Sequence, residues 1–343
     1  MKTDFLEKDL PPQTSGKKGM LSNLLRWGLS LCLLAYLYHI IDIDKTIAVI
    51  KSADIVTMIY VLITSVFIYF VIFLRWLVFV RALDLHVPGM VLLRYFFVGL
   101  FGNLFLPSSV GGDIIKVWGV CQYTPHKPKV IASVILDRLS GFAGIVIVAT
   151  IAFIFGYRLI NDFSLLISIV VMAVVSSMVM AILLNEKLFS FCCKIFAAFP
   201  KVKTTLMNIH YDIALLKDKP MELYKGAAIS CANQLMLSVI FFLIAKALHQ
   251  NVALIYFLIF VPLICVASSL PSIGGLGTRE AATAYLLAKV GVEYGVGVSI
   301  SLVNFFIMIL MGLVGGLVYI FMKTPQETSL SHTPVISPKS PMV

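Results

Sequence analysis

Apolar residues fall in long blocks along this chain, separated by short polar stretches, and the blocks have membrane length. Leu24–Ile41, Ile55–Leu74, Val130–Phe155, Phe163–Leu184, Tyr224–Leu248 and Val296–Met322 are predominantly apolar over about 18 residues or more, which reads as six spanning helices. Met90–Leu106 and Val252–Leu270 are also apolar, but each runs into Pro and Gly. A shorter helical piece leaves each break, Thr278–Val290 in the second case. The predicted fold is therefore an all-α polytopic membrane protein with about six full spans and two Pro/Gly-broken hairpins, eight or so helical passes.

The two breaks are near-repeats. LPSSVGGDIIK covers Leu106–Lys116 and LPSIGGLGTRE covers Leu270–Glu280. Each has Pro, Ser, a Gly pair and a cation five residues beyond the first Gly of that pair, Lys116 after Gly111 and Arg279 after Gly274. Pro lacks an N–H and Gly gains backbone freedom, so both interrupt helices. Lipid cannot satisfy the freed backbone groups, so such a break must be covered by protein or line a polar cavity. Paired breaks in corresponding halves point to a central binding site of transporter type.

Charge supplies an orientation. Lys and Arg favour the cytoplasmic side. Lys2, Lys8, Lys17, Lys18 and Arg26 crowd the start, Arg75, Arg81 and Arg94 follow the second run, and Lys127 and Lys129 precede the next. Lys187, Lys194, Lys201, Lys203, Lys217 and Lys219 crowd the centre, and Lys323 follows the last run. These place both termini and the central loop in the cytoplasm; Lys45 and Lys51 fall outside, beside Asp42, Asp44 and Asp54. One hairpin then enters from each face, which makes the two halves an inverted repeat. Residues 1–22 are expected to be a disordered cytoplasmic tail, 23–322 the membrane domain, and 323–343 a Pro/Ser/Thr-rich disordered tail. Within residues 186–222, EKLFSFCCKIFAAF (Glu186–Phe199) spaces Phe189, Cys193 and Phe196 as on one helix face, with lysines between and after. It reads either as an interfacial helix or as a basic loop that only fixes topology.

Composition agrees. The chain has 343 residues, 60% hydrophobic and 13% charged, against about 45–50% and 25% for soluble domains. Its net charge of +10 sits mainly in loops and tails, and the apolar runs leave too little soluble surface for nucleic acid. Six cysteines form no CxxC and no zinc spacing and read as small apolar fillers. GxSxG, HExxH and P-loop motifs are missing, so no metal, cofactor or catalytic residue is expected.

A charge near the bilayer centre costs about 2.5–3.5 kcal/mol on insertion scales, so those inside the runs are candidates for function. Asp113 and Lys116 share a face if a helix starts at the first break. The backbone N–H groups of Gly111 and Gly112, with the helix N-terminus, would then suit an anion. Gly274, Gly275 and Gly277 before Arg279 and Glu280 repeat that geometry. Asn103, Pro107 and Ser108 in the first break, and Pro271 and Ser272 in the second, complete the candidate lipid-binding set. The structural alternative has the glycines serving close helix packing while Lys116 and Arg279 pair with Asp113 and Glu280. Asp137 and Arg138 lie in VILDRLSG, about 10 Å inside their run at 1.5 Å per residue; Arg138 can pair with Asp113, and Asp137 with Lys116. Asn233, Gln234 and Asn304 read as helix-to-helix hydrogen-bonding residues.

FGNLFLPSSVGGDIIKVW (Phe101–Trp118), ILDRLSG (Ile135–Gly141) and SLPSIGGLGTREAA (Ser269–Ala282), in that order, resemble the lysylphosphatidylglycerol synthase transmembrane-region family of flippase-like membrane proteins. The resemblance runs from about Leu24 to Met322. It implies transbilayer movement of a lipid: some members move aminoacylated phosphatidylglycerol, and others are associated with isoprenoid-linked sugars or hopanoid lipids. Bifunctional members continue into a soluble aminoacyl-transferase domain, while this chain continues into its polar tail, so synthesis of the aminoacylated lipid is not expected. The function read from the sequence is flipping of a phospholipid or isoprenoid-phosphate-linked lipid across the cytoplasmic membrane. The expected partners are membrane lipids bearing phosphate or other negative charge, with a lipid-modifying enzyme as a further partner. The alternative is a membrane-embedded lipid glycosyltransferase or an accessory subunit of one.

Overall fold

The computed structural model describes residues 51–105, 111–160, 163–185, 189, 211–213, 219–269 and 276–321. The first apolar run, both tails, most of the central loop and the centres of both breaks lie outside them. The described chain is all-helical. In order, α1 is Ile55–Ala82, α2 Gly89–Phe105, α3 Gly111–Val120, α4 Lys127–Ile160 and α5 Phe163–Leu184. After the central loop come α6 Pro220–Ala247, α7 Leu254–Ser268, α8 Thr278–Ala288 and α9 Tyr294–Phe321.

Four helices, α1, α4, α6 and α9, are long and apolar enough to cross a membrane by length and composition. The outward faces fit that reading. Ile59, Ile63, Val66, Phe67 and Phe70 on α1, and Phe306, Leu313, Leu317 and Ile320 on α9, are exposed, forming apolar surface far larger than water tolerates.

One expectation needs correction. The second run was expected to end at Leu74, with Arg75 in a cytoplasmic loop. Instead α1 continues to Ala82 and Arg75 is buried within it. The reason is local: Trp76-Leu77-Val78-Phe79-Val80 follows Arg75, and Trp76, Phe79 and Val80 are buried against neighbouring helices.

α1 and α6 form the centre. Both have 28 residues and they run antiparallel, tied at both ends. At one end Asp54 N–H donates to Ala247 O at 2.9 Å. At the other, Lys219 Nζ donates to Ala82 O at 2.8 Å, capping the last turn of α1, and to Asp84 Oδ2 at 2.9 Å. The Lys219 bond and charge hold the Asp84 carboxyl below its usual range. Asp54 caps the start of α1: its side chain accepts from Thr57 N–H at 2.9 Å and from the Thr57 hydroxyl, and these bonds lower its pKa.

Around this pair, α2 and α3 form one hairpin and α7 and α8 the other. α2 packs on α9, α7 packs on α4, and α5 lies against α4. The apolar interior has two main clusters. One, containing Phe241, Phe257, Phe260, Ile300 and Ile307, joins α6, α7 and α9. The other, containing Trp76, Phe79, Leu92, Phe96 and Val130, joins α1, α2 and the start of α4.

Glycine sets the α2–α9 distance. A Cβ on Gly315 would sit 2.0 Å from Phe97 O, a backbone atom that cannot swing away. Gly315→Ala is expected to destabilise the fold by about 1–3 kcal/mol, as overpacking does. Gly89→Ala, with nothing within 4 Å of its Cβ position, should cause no loss. Thermal unfolding in detergent checks the pair.

Candidate functional site

The first break delivers α3 against α2 at very short range. A Cβ on Gly112 would lie 2.1 Å from Gly99 O, so only Gly permits this approach. Gly112 N–H donates to Asn103 Oδ1 at 2.8 Å. Asn103 thus closes the hairpin on itself, and the N–H expected to face a ligand is already engaged by protein.

Asp113, the next residue, and Lys116, one turn on, sit on the buried face of α3. Lys116 Nζ reaches Asp113 Oδ1 at 3.2 Å. It also lies over the rings of Trp76, at 5.5 Å, and Phe96, at 5.0 Å, so aromatic faces and a carboxylate together hold its charge. Arg138 of α4 donates through Nε to Asp113 Oδ2 at 2.6 Å, the pairing expected from sequence. Its side chain stays 45% exposed, while Asp113 is 7% exposed.

Asp137 does not reach Lys116. It accepts from Arg75 Nε at 2.6 Å, and both side chains are buried. Arg75 Nη1 lies 3.4 Å from Ser230 Oγ, which bonds Ser140 Oγ at 2.6 Å. This polar layer ties α1, α4 and α6 together. Arg75 was missed as a site-associated residue because a cation after an apolar run resembles an interface marker.

The second break ends at Gly277, whose φ of +85° suits a residue without Cβ. Its N–H donates to Glu280 Oε2 at 2.6 Å, so α8 caps its own start. Arg279 Nη2 and Nε reach Glu280 Oε1 at 2.7 and 3.1 Å. Arg279 Nε also reaches Ser301 Oγ at 3.2 Å, and the guanidinium lies 4.8 Å from the Phe305 ring centroid. Pro107, Ser108, Pro271, Ser272, Gly274 and Gly275 lie outside the described residues. Gly111 starts α3 and is buried.

A cavity of about 1240 Å3 joins the two hairpins. Its polar lining is Asp113 and Arg138 with Ser177, Ser268, Ser269, Arg279 and Asn304. Val134, Leu139, Val146, Phe241 and Ile264 make much of the remaining wall apolar. Ile114 of α3, Phe142 of α4 and Val175 of α5 line the cavity and are exposed, so part of its wall is accessible apolar surface. Of the residues expected to bind a ligand, Asp113, Arg138 and Arg279 face the cavity. Lys116 and Glu280 stand behind them as partners, while Asp137 is bonded to Arg75 and Asn103 to the Gly112 N–H. Asn304 faces the cavity although its expected role was helix-to-helix bonding.

Among the described residues the cations Arg75, Lys116, Arg138 and Arg279 pair with the buried carboxylates Asp113, Asp137 and Glu280. Among them, Asp113 pairs with both Lys116 and Arg138. Cations on the wall of a large, mostly apolar cavity can hold an anionic group while its hydrocarbon stays against apolar side chains.

A family model described as lysylphosphatidylglycerol synthase TM region matches residues 23–316. No curated protein and no solved structure matches the chain.

Proposed function

Because the chain belongs to the lysylphosphatidylglycerol synthase TM-region family, we propose that it carries a lipid between the leaflets of the cytoplasmic membrane. The cargo is a phospholipid or an isoprenoid-phosphate-linked lipid. The observation that carries this reading is the cavity: exposed apolar Ile114, Phe142 and Val175 line it, together with Arg138 of α4 and Arg279 of the second hairpin. Lipid phosphate binds at Arg138 on the cavity wall, while the acyl or prenyl chain remains against the apolar wall.

Alternating access follows from treating the halves as an inverted repeat. Its support is the packing. The central helices α1 and α6 match in length and run antiparallel, and exchanging the two halves maps the α2–α9 contact onto α7–α4 and one hairpin onto the other. In this reading both termini and the central loop lie in the cytoplasm, which the Lys and Arg of the loops favour.

The test is lipid exchange in proteoliposomes. Wild type is expected to move a fluorescent phospholipid, or a short polyprenyl-phosphate sugar, between leaflets faster than protein-free vesicles. Ala143 lines the cavity, and Ala143→Trp should cut that exchange several-fold by filling it. Leaflet-selective quenching gives the rate. A folded wild type that accelerates none of these lipids would sink the carrier reading and favour an accessory role beside a lipid-modifying enzyme.

A further inference from the structure

We propose that the Gln234 amide, set behind Cys265 in the cavity wall, is a cargo-binding group that donates a hydrogen bond to an oxygen of the lipid as its headgroup passes the membrane midplane. This rests on the lipid-carrier reading, and it adds a contact from the central helix α6 to those from α4 and α8.

Gln234 stands at the middle of the 28-residue α6, a helix long and apolar enough to cross a membrane, so its depth is near the midplane. It is 2% exposed, and its Nε2 has no hydrogen-bond partner. An amide N–H kept from water without an acceptor is costly. Oδ1 of the adjacent Asn233 is unbonded too, so the middle of α6 holds two carboxamides that the protein's own groups leave incomplete. Leu237 and Phe241, three and seven residues on, both line the cavity. That spacing puts Gln234 on the stripe of α6 that faces it.

Cys265 of α7 connects this amide to the cavity. It lines the cavity, lies beside the Gln234 side chain and is within electrostatic reach of Arg279. The amide therefore belongs to the end of the cavity that carries Arg279. Glu280 and Ser301 hold that guanidinium in place, so a headgroup reaching this end meets a fixed cation and an amide donor with no bond to give up. Nε2 itself is buried, and turning the small Cys265 side chain aside is the movement that opens it. Sulfur is a weak hydrogen-bond partner, so a lipid oxygen that takes its place gains a bond at little cost.

The experiment uses the full chain in proteoliposomes with two fluorescent phosphatidylglycerols, one built on acyl esters and one on alkyl ethers. Gln234→Met keeps the length of the side chain and removes the amide. It is expected to unfold in detergent at the wild-type temperature or above, since the lost N–H had no partner. It should move the acyl lipid about fivefold to tenfold more slowly, the size of one lost hydrogen bond. If the ether lipid slows by the same factor, the bonded oxygen belongs to the headgroup; if the ether lipid keeps its wild-type rate, the oxygen is an ester carbonyl. An unchanged rate for the acyl lipid overturns the proposal. A lowered unfolding temperature also overturns it, because the amide then serves helix packing. If wild type moves neither lipid, the carrier reading fails, and binding decides the contact separately. Dihexanoyl phosphatidylglycerol must then raise the unfolding temperature of wild type more than that of Gln234→Met, and equal shifts overturn it.

Discussion

Arg138→Ala is expected to slow lipid translocation by about 10- to 100-fold, the loss of one or two charge-assisted hydrogen bonds to phosphate, while leaving the unfolding temperature almost unchanged. Exposure separates the two effects. The Arg138 side chain is 45% exposed in the cavity, so removing it leaves no buried hole, and Asp113 keeps Lys116 as its partner. Lys116→Ala should behave in the opposite way. Its ammonium lies between Asp113 and the Trp76 and Phe96 rings and does not line the cavity. Its loss takes away a buried partner of Asp113 and two ring contacts together, and should appear first as lowered stability. Exchange rates set against unfolding temperatures for the two variants check the assignment. If Lys116→Ala abolishes exchange at unchanged stability while Arg138→Ala does not, the anion is held at Lys116 and the cavity has been assigned the wrong cation.

What the sequence could reveal follows from what its patterns measure. Block hydrophobicity measures transfer to lipid, so it located the long helices, and Pro/Gly spacing located both hairpins. Periodicity measures faces, so Asp113 and Lys116 on one side of α3, and Arg138 opposite Asp113, were legible. Partner choice among several buried charges depends on crossing angles that no local pattern encodes. Asp137 therefore reads equally well towards Lys116 or elsewhere, and only the fold brings Arg75 to it. The helix N-termini mislead for a related reason. A Gly pair before a helix advertises donors, but Asn103 and Glu280 occupy the N–H groups of Gly112 and Gly277. Asn304 reads as a helix-packing amide because most such residues in spans are; its place on the cavity wall depends on how α9 packs on α8.

Arg75→Met should be the most destabilising of these substitutions, by about 3–5 kcal/mol, because it strands a buried carboxylate. Asp137 is 3% exposed and Arg75 7%, and the pair lies where α1, α4 and α6 meet. Water cannot easily replace the lost guanidinium there, and Ser230, already shared with Ser140 at 2.6 Å, offers no charge. Asp137→Asn should cost less, since an amide oxygen still accepts from Arg75 Nε. The decisive variant is the double one. Arg75→Met with Asp137→Leu removes both charges and both desolvation costs, and replacing a buried pair by apolar residues is often neutral or stabilising by about 1–4 kcal/mol. The double variant should therefore regain most of the stability lost in Arg75→Met, by denaturant unfolding in detergent. Recovery would identify the pair as a clamp that fixes how three helices cross, and exchange activity of the recovered protein would then report whether that crossing must also be polar. A double variant as unstable as the single would mean that Arg75 acts through its packing against Gly141, whose Cβ position lies 3.0 Å from Nη1, and not through its charge.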